Sequence, residues 1–274
     1  MFVVGVGNIT FGGTGKTPFV IELANRMKDR VCVISRGYRG KREGKLSIVS
    51  DGKEIFYSPE DVGDEPCLIA EKTGAVVITS VRREEAIQVG KDEFGIEIFI
   101  LDDAFQYRHL KKDLNILLFN SDFPFFPPRD LPGYHRFADM GIVVDRGKES
   151  ILINRIKIPL WRGRIISQKR GAGERVVAFC GIGRPDSFKK LLVASGYNPV
   201  RFIVFRDHHI YSERDVERIK SIALKLGVDR IVTTEKDWIK VRGRMEVEPV
   251  PISLTLDRGF WNSLSTRLPF DIVI

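Results

Sequence analysis

Apolar residues come in short runs along the chain. "FVVGV" (2–6), "VCVIS" (31–35), "AVVIT" (75–79), "IEIFILDD" (96–103), "LNILLF" (114–119) and "GIVVD" (141–145) are rich in β-branched residues and nearly free of internal charge. Runs of that length and composition predict strands buried on both faces. Helical patterns fall between several of them, over 16 to 28, 65 to 72 and 82 to 93. Strand and helix in alternation predict an α/β fold, a doubly wound and mostly parallel sheet with helices on both faces.

The rhythm changes after residue 148. "SILINRIKIPLWRGRIIS" (150–167) is a set of strand-like pieces broken by Pro159 and Gly163, which predicts a short two-stranded β connector over 149–170. Strand–helix units then resume with "RVVAFCGIG" (175–183), a helix over 185–195, "VRFIVF" (200–205), a helix over 212–226 and "RIVTT" (230–234). The expected organisation is a first domain over 1–148, the connector, and a second, smaller α/β domain over 171–274.

Composition narrows the classes. At 274 residues, 43% hydrophobic and 29% charged, the chain can bury a sizeable core, and wholesale disorder is excluded. A net charge of +8 leans towards an anionic partner: a phosphorylated substrate, an acidic membrane surface or nucleic acid. No strand carries the interleaved aromatics that stack bases, so nucleic acid is not expected. Cys32, Cys67 and Cys180 are scattered without a CxxC pair, which implies reduced thiols in a cytoplasmic setting rather than disulfides or zinc. No apolar run approaches the roughly 20 residues that span a bilayer.

The first motif lies where the first strand should become a helix, in "GNITFGGTGKTPF" (7–19). Glycines there let backbone N–H groups turn inward onto phosphate oxygens, and the following helix adds its N-terminal dipole. Thr10, Phe11, Gly12, Gly13, Thr14, Gly15, Lys16 and Thr17 thus read as a P-loop holding a nucleoside triphosphate. Lys16 would reach the β- and γ-phosphates, and the Thr17 hydroxyl would bind Mg²⁺. Thr10 stands where the usual pattern has its first glycine. Asp102 and Asp103 close the apolar run of 98–103 and supply the acidic groups that position a metal ion or water. The domain over 1–148 is therefore the nucleotide-binding and catalytic one.

Four further stretches each follow an expected strand: "SRGYRGKREGK" (35–45), "VGDEP" (62–66), "DDAFQYRHLKKD" (102–113) and "FRDHHIYS" (205–212). Singly they suit a solvated basic loop, a pair of acids at a helix start, or a turn. Together they form the rim of one active site, with Arg36, Tyr38, Tyr107 and Arg108 on the acceptor side.

These motifs, with "TTEKD" (233–237), resemble in order and over nearly the whole chain the tetraacyldisaccharide 4′-kinases of lipid A synthesis. That family's loop also lacks the first P-loop glycine. The resemblance implies ATP and Mg²⁺ as cofactors, and phosphorylation of the 4′-hydroxyl of a lipid-bearing glucosamine disaccharide 1-phosphate. It also implies work at the cytoplasmic face of the inner membrane, as a peripheral protein on an anionic surface with no stable protein partner. It makes Asp64 and His208 an acid–base pair on the acceptor hydroxyl. The family's "DDGFQH" is here "DDAFQY", with Ala104 for glycine and Tyr107 for a histidine that contacts the lipid substrate. Its Arg-Glu pair corresponds to Arg129 and Asp130 in "FPPRDLPG" (126–133), Arg129 towards substrate and Asp130 towards the metal. The family's N-terminal membrane segment does not precede the first strand here. Phe123, Phe125 and Phe126 either take its place at acyl chains or fold over the core. The competing expectation is a nucleotide-driven switch or cofactor-insertion protein, although "TTEKD" lacks the asparagine and order of a guanine-reading NKxD.

Overall fold

The computed structural model describes residues 1–9, 13–27, 30–122 and 134–273. The chain gathers into two units, one of Met1–Ile165 with Leu254–Ile274 and one of Ile166–Ser253. The first carries β1 (Phe2–Asn8), β2 (Val31–Ser35), β3 (Ser47–Asp51), β4 (Val76–Thr79), β5 (Ile98–Asp102), β6 (Leu114–Asn120), β7 (Met140–Val144) and β8 (Leu160–Ser167). Its helices are α1 (Lys16–Arg26), the single turn α2 (Pro59–Val62), α3 (Asp64–Lys72) and α4 (Arg83–Phe94).

The second unit is a four-stranded sheet of β9 (Arg175–Cys180), β10 (Asn198–Val204), β11 (Ile231–Thr234) and β12 (Glu248–Val250), in the order β10-β9-β11-β12. All its pairings are parallel. Its helices are α5 (Pro185–Ala194), α6 (Glu213–Lys225) and α7 (Glu235–Val241). Val177, Phe179 and Ile219 fill one side of this sheet, and Val176, Phe188 and Leu192 the other.

The chain then returns through β13 (Ile252–Leu256) to α8 (Arg258–Ser265). The larger sheet has nine strands in the order β13-β8-β7-β6-β1-β5-β2-β4-β3. From β8 across to β4 every neighbour is parallel, and β3 is antiparallel at the edge. Every residue of β2, β4, β5 and β7 is buried, as the unbroken apolar runs require.

Two expectations about boundaries differ from the structure. Residues 254–274, expected in the smaller domain, pack in the larger unit, because Phe260, Trp261 and Leu264 of α8 are buried against α1 and β8. The Phe19 and Phe260 rings lie 5.8 Å apart, the Trp161 and Phe260 rings 5.6 Å, and the Arg26 guanidinium sits 4.1 Å above the Trp261 ring. Most of the expected connector also belongs to the larger unit, since β8 extends its sheet beside β7. The two strands that carry the chain out and back, β8 and β13, are neighbours there, so the second strand of the connector comes from near the C-terminus.

β1 is flanked by β5 on one side and β6 on the other, so the strand order reverses at its C-terminal end. In an open parallel sheet that reversal opens a crevice at the carboxyl ends of the strands, and ligands bind there.

Candidate active site

β1 delivers the glycine-rich turn to this crevice. Asn8, its last residue, is buried and donates from Nδ2 to Thr14 Oγ1 at 2.9 Å, which pins the two ends of the loop together. Thr10, Phe11 and Gly12 lie outside the described residues. Gly15 is the N-cap of α1 at φ +84°, a conformation in which a side chain is strained. No acid from α1 itself occupies its first turn, so the N–H groups there attract an anion. Lys16 opens the helix, and Thr17 is buried immediately behind it.

The acidic loop is fastened to the same strand. Val6 pairs in register with Asp102, Ala104 N–H donates to Val6 O at 3.0 Å, and Gln106 Nε2 donates to Asn8 O at 2.8 Å. A Cβ on Gly7 would fall 2.5 Å from Phe105 Cβ, so glycine there is what lets the turn close over β1. The result brings Lys16 Nζ to 3.3 Å from Asp103 Oδ1. Asp102 is 4% exposed, and Ser35 Oγ donates to its Oδ2 over a long 3.4 Å. Asp103 itself sits at φ +53°, an uncommon backbone for a residue with a side chain and one that clusters at functional sites.

Two arginines here escaped the sequence reading. Arg83, at the start of α4 and 3% exposed, donates to the Ser35 and Ser80 carbonyls. Burial pushes its guanidinium pKa down, against the opposing fields of Asp102 and then Asp103. Arg146, just past β7, donates from Nη2 to the Gly13 carbonyl and from Nε to Asn120 Oδ1 at 2.8 Å. It ties the P-loop to the end of β6. The only signal in the sequence was position: each follows a strand whose carboxyl end faces the crevice.

Beside Arg146 an open cleft of about 790 Å³ is lined by Ser121, Asp145, Lys148, Arg162, Arg164 and Asp257 among others. Asp145 accepts from Gly147 N–H at 2.8 Å and from Arg164 at 3.1 Å, and these contacts, the backbone one first, hold its carboxyl below the usual range.

Around Asp64 the structure joins two of the sequence motifs. Lys41 N–H donates to Glu60 O at 2.9 Å and Arg42 N–H to Asp61 O at 2.8 Å, so the basic loop lies along the turn that starts α3. A Cβ on Gly40 would meet Asp61 O at 2.5 Å, and one on Gly63 would meet Tyr38 O at 2.9 Å. Tyr38 is therefore held next to Gly63 and Asp64, the latter 9% exposed at the first position of α3. The loop's charges are partly answered within it, Arg36 by Glu43 at 3.1 Å and Lys41 by Glu60 at 2.8 Å.

The Tyr107 ring lies 5.8 Å from the Arg83 guanidinium. Tyr107 donates its hydroxyl to Glu84 Oε2 at 2.6 Å on α4, and Arg108 is exposed. Arg129, Asp130 and the aromatics of 123–126 lie outside the described residues. His208 belongs to the second unit, just past β10, at φ +58° with its N–H donating to Gly181 O at 3.0 Å. Its neighbour His209 stacks on Phe205 at 4.7 Å and bonds through Nε2 to Asp215 Oδ2 at 3.1 Å.

A lysine at a glycine-capped helix start, a buried threonine behind it and paired aspartates on the adjacent parallel strand define a P-loop phosphotransferase. A family model described as Tetraacyldisaccharide-1-P 4′-kinase matches residues 1–269. The tetraacyldisaccharide 4′-kinase of Syntrophus aciditrophicus (strain SB) is 38% identical over 281 residues, covering 87% of this chain and 75% of that protein. That of Halothermothrix orenii is 34% identical over 282 residues, covering 87% and 73%. A crystal structure of LpxK from Aquifex aeolicus in complex with ATP aligns with a TM-score of 0.76 at 29% identity, over 96% of this chain and 87% of that one. The chain belongs to the tetraacyldisaccharide 4′-kinase family.

Proposed function

We propose that this chain transfers the γ-phosphoryl group of ATP to the 4′-hydroxyl of a tetraacylated glucosamine disaccharide 1-phosphate, with Lys16, Asp102 and Asp103 at the phosphates and Asp64 with His208 at the acceptor. The observation that carries the reading is the meeting of Lys16 and Asp103 at 3.3 Å, at the start of the P-loop helix. Family membership supports the kinase over a nucleotide-driven switch.

In the transfer, the 4′-oxygen bonds to the γ-phosphorus as the bond to the β–γ bridging oxygen breaks, and ADP leaves. The hydroxyl proton passes to the Asp64–His208 pair, a carboxylate and an imidazole suited to accept it. Lys16 and the N–H groups at the α1 N-terminus hold the charge that spreads over the γ-phosphoryl oxygens. The oxygen donors of Thr17, Asp102 and Asp103 fit Mg²⁺, which binds through one or two carboxylates plus substrate phosphates rather than in a protein cage. Among the described residues no cluster of three His, Cys, Asp or Glu forms such a cage. Mg²⁺ held there would neutralise charge on the β- and γ-phosphates.

The cleft beside Arg146 takes the nucleoside, since it opens at the carboxyl end of β7, against the middle of β8 and next to the arginine that holds the P-loop. The basic loop of 36–45, beside Asp64, faces the acceptor's anionic phosphate and an anionic leaflet at the cytoplasmic face of the inner membrane. No helix of the described residues is long and apolar enough to cross a membrane, and the association proposed is peripheral.

Incubating the purified protein with ATP, Mg²⁺ and the disaccharide 1-phosphate tests the proposal. ADP should form together with a bisphosphorylated lipid, at a rate far above ATP hydrolysis without acceptor. Equal nucleotide turnover with and without acceptor, or a preference for GTP, would replace this reading with the switch.

A further inference from the structure

The "TTEKD" run has no role in the phosphoryl transfer described above, yet it contains Asp237, a carboxylate with 0% exposure. Thr234 caps α7, and Asp237 lies in its first turn. Asp237 Oδ2 accepts from Thr234 Oγ1 at 2.7 Å and from Gly181 N–H at 2.9 Å. Lys240 Nζ stands 3.6 Å from the other oxygen. Gly181 follows the end of β9, and its carbonyl accepts the His208 N–H at 3.0 Å. One peptide on either side of Gly181 therefore links the buried carboxylate to the backbone of His208.

We infer that Asp237 is a positioning residue for His208, acting through the Gly181 backbone; the inference rests on the reading of His208 as half of the acid–base pair. A carboxylate with no exposure cannot touch a substrate. Its negative charge makes a stronger acceptor for the Gly181 N–H than a neutral group would. That firmness has a use. His208 is held at φ +58°, a conformation that an L-residue adopts at a cost and keeps only where its surroundings over-determine it.

The rest of the loop is packed to the same end. A Cβ on Gly181 would lie 2.9 Å from Arg206 O, 3.1 Å from His209 Cβ and 3.2 Å from the Tyr211 hydroxyl. The loop of 206–211 thus rests directly on Gly181. His209 is gripped by Phe205, Tyr211 and Asp215, with ring centroids at 4.7 and 5.0 Å and the carboxylate at 3.1 Å. Thr233 Oγ1 donates to Phe179 O at 2.7 Å, which fixes β11 to β9 just below. His209 is the anchor of the Asp-His-His run and His208 is the residue it presents.

Asp237→Asn tests this in the full chain. The amide keeps the shape but removes the charge, so Gly181 N–H is left either with a weaker, neutral acceptor or, if the amide turns, with an opposing NH₂. The expected result is a fall in kcat of about tenfold with KM for ATP unchanged, and no further loss when Asp237→Asn is added to His208→Ala. In protein with ¹⁵N-labelled histidine, the His208 amide resonance should move while the His135 resonance stays. Gly181→Ala, which pushes the loop from the other side, should give the same signature and stands in if Asp237→Asn does not fold. An unmoved His208 resonance overturns the inference, as does an equal fold-loss in the two backgrounds. If His208→Ala alone keeps full activity, the acid–base reading fails, and the resonance still decides whether Asp237 sets the loop.

Discussion

Lys16 Nζ lies 3.3 Å from Asp103 Oδ1, so the cation meant for the phosphates is paired with a carboxylate proposed for the metal. Nucleotide entry has to exchange that pair for new partners. The ammonium is 20% exposed and the carboxylate 35%, so both groups can be reached while they change partners. Lys16→Ala should lower turnover by more than about a hundredfold, because a contact to transition-state charge is lost. Asp103→Asn tolerates the positive φ and frees Lys16. It should bind ATP more tightly than the parent protein in EDTA, yet turn over far more slowly with Mg²⁺. Calorimetric titration with and without Mg²⁺ separates the two effects, and weaker binding of Asp103→Asn in EDTA would exclude the exchange.

Stability of the second unit should have an acid-sensitive component at Asp215. This carboxylate accepts from the Ser212 hydroxyl at 2.7 Å, from Ser212 N–H at 2.9 Å and from His209 at 3.1 Å. The Ser212 contacts come first among the causes that depress its pKa to about 2. A depressed carboxylate stabilises above its unfolded pKa of about 3.9 and loses that contribution as pH falls towards the folded value. Asp215→Ala should therefore cost about 1 kcal/mol at pH 7, the usual worth of a lost helix cap. The gap between the two proteins should shrink between about pH 4 and pH 2. Urea titrations at several pH values read this, and a gap that stays constant to pH 2 would show that the charge is irrelevant.

Membrane association should be peripheral and weakened by salt. Arg36, Arg39, Lys41, Arg42 and Lys45 line the loop beside Asp64, and each basic side chain near an anionic leaflet contributes roughly 1 kcal/mol. Glu43 and Glu60 pair with two of the five and reduce the total. Sedimentation with anionic vesicles should fall in high salt and fall further in a variant with Lys41 and Lys45 changed to Glu. Binding that is indifferent to salt would assign the anchor to apolar contacts instead.

The sequence made the parallel sheet legible because strands buried on both faces must be apolar throughout, as β2, β4, β5 and β7 are. β3 escaped it: "SIVSD" is a short edge strand of mixed polarity that follows a basic loop, and its antiparallel pairing to β4 leaves no run to notice. The fate of residues 254–274 escaped for another reason. Chain order favours assigning a C-terminal segment to its neighbours, whereas three buried side chains of α8 need the apolar face of α1. The nearness of Lys16 to Asp103 was legible, because the turn after β1 and the end of the adjacent parallel strand β5 open on the same crevice. Arg83 and Arg146 were not, since an arginine after a strand carries no signal until the carbonyls and carboxylates around it are known.

The proposed pairing of Asp64 with His208 has the sharpest kinetic signature of the roles assigned above. Asp64 is nearly buried at the first position of α3, fixed by Gly63 and the Tyr38 carbonyl behind it. His208 is fixed in the second unit by its bond to Gly181. If they accept one proton as a unit, Asp64→Ala and His208→Ala should each lose most of the turnover with ATP binding nearly unchanged. The double variant should be scarcely worse than either single, because groups sharing one task are non-additive. The parent protein should show an acidic limb in its rate profile, since an imidazolium cannot take the hydroxyl proton and activity falls as His208 becomes protonated. That limb should be absent in His208→Ala. Single-turnover phosphoryl transfer for the four proteins across pH decides it. Losses that multiply, or an acidic limb that survives the histidine, would show that the two residues do not share the proton.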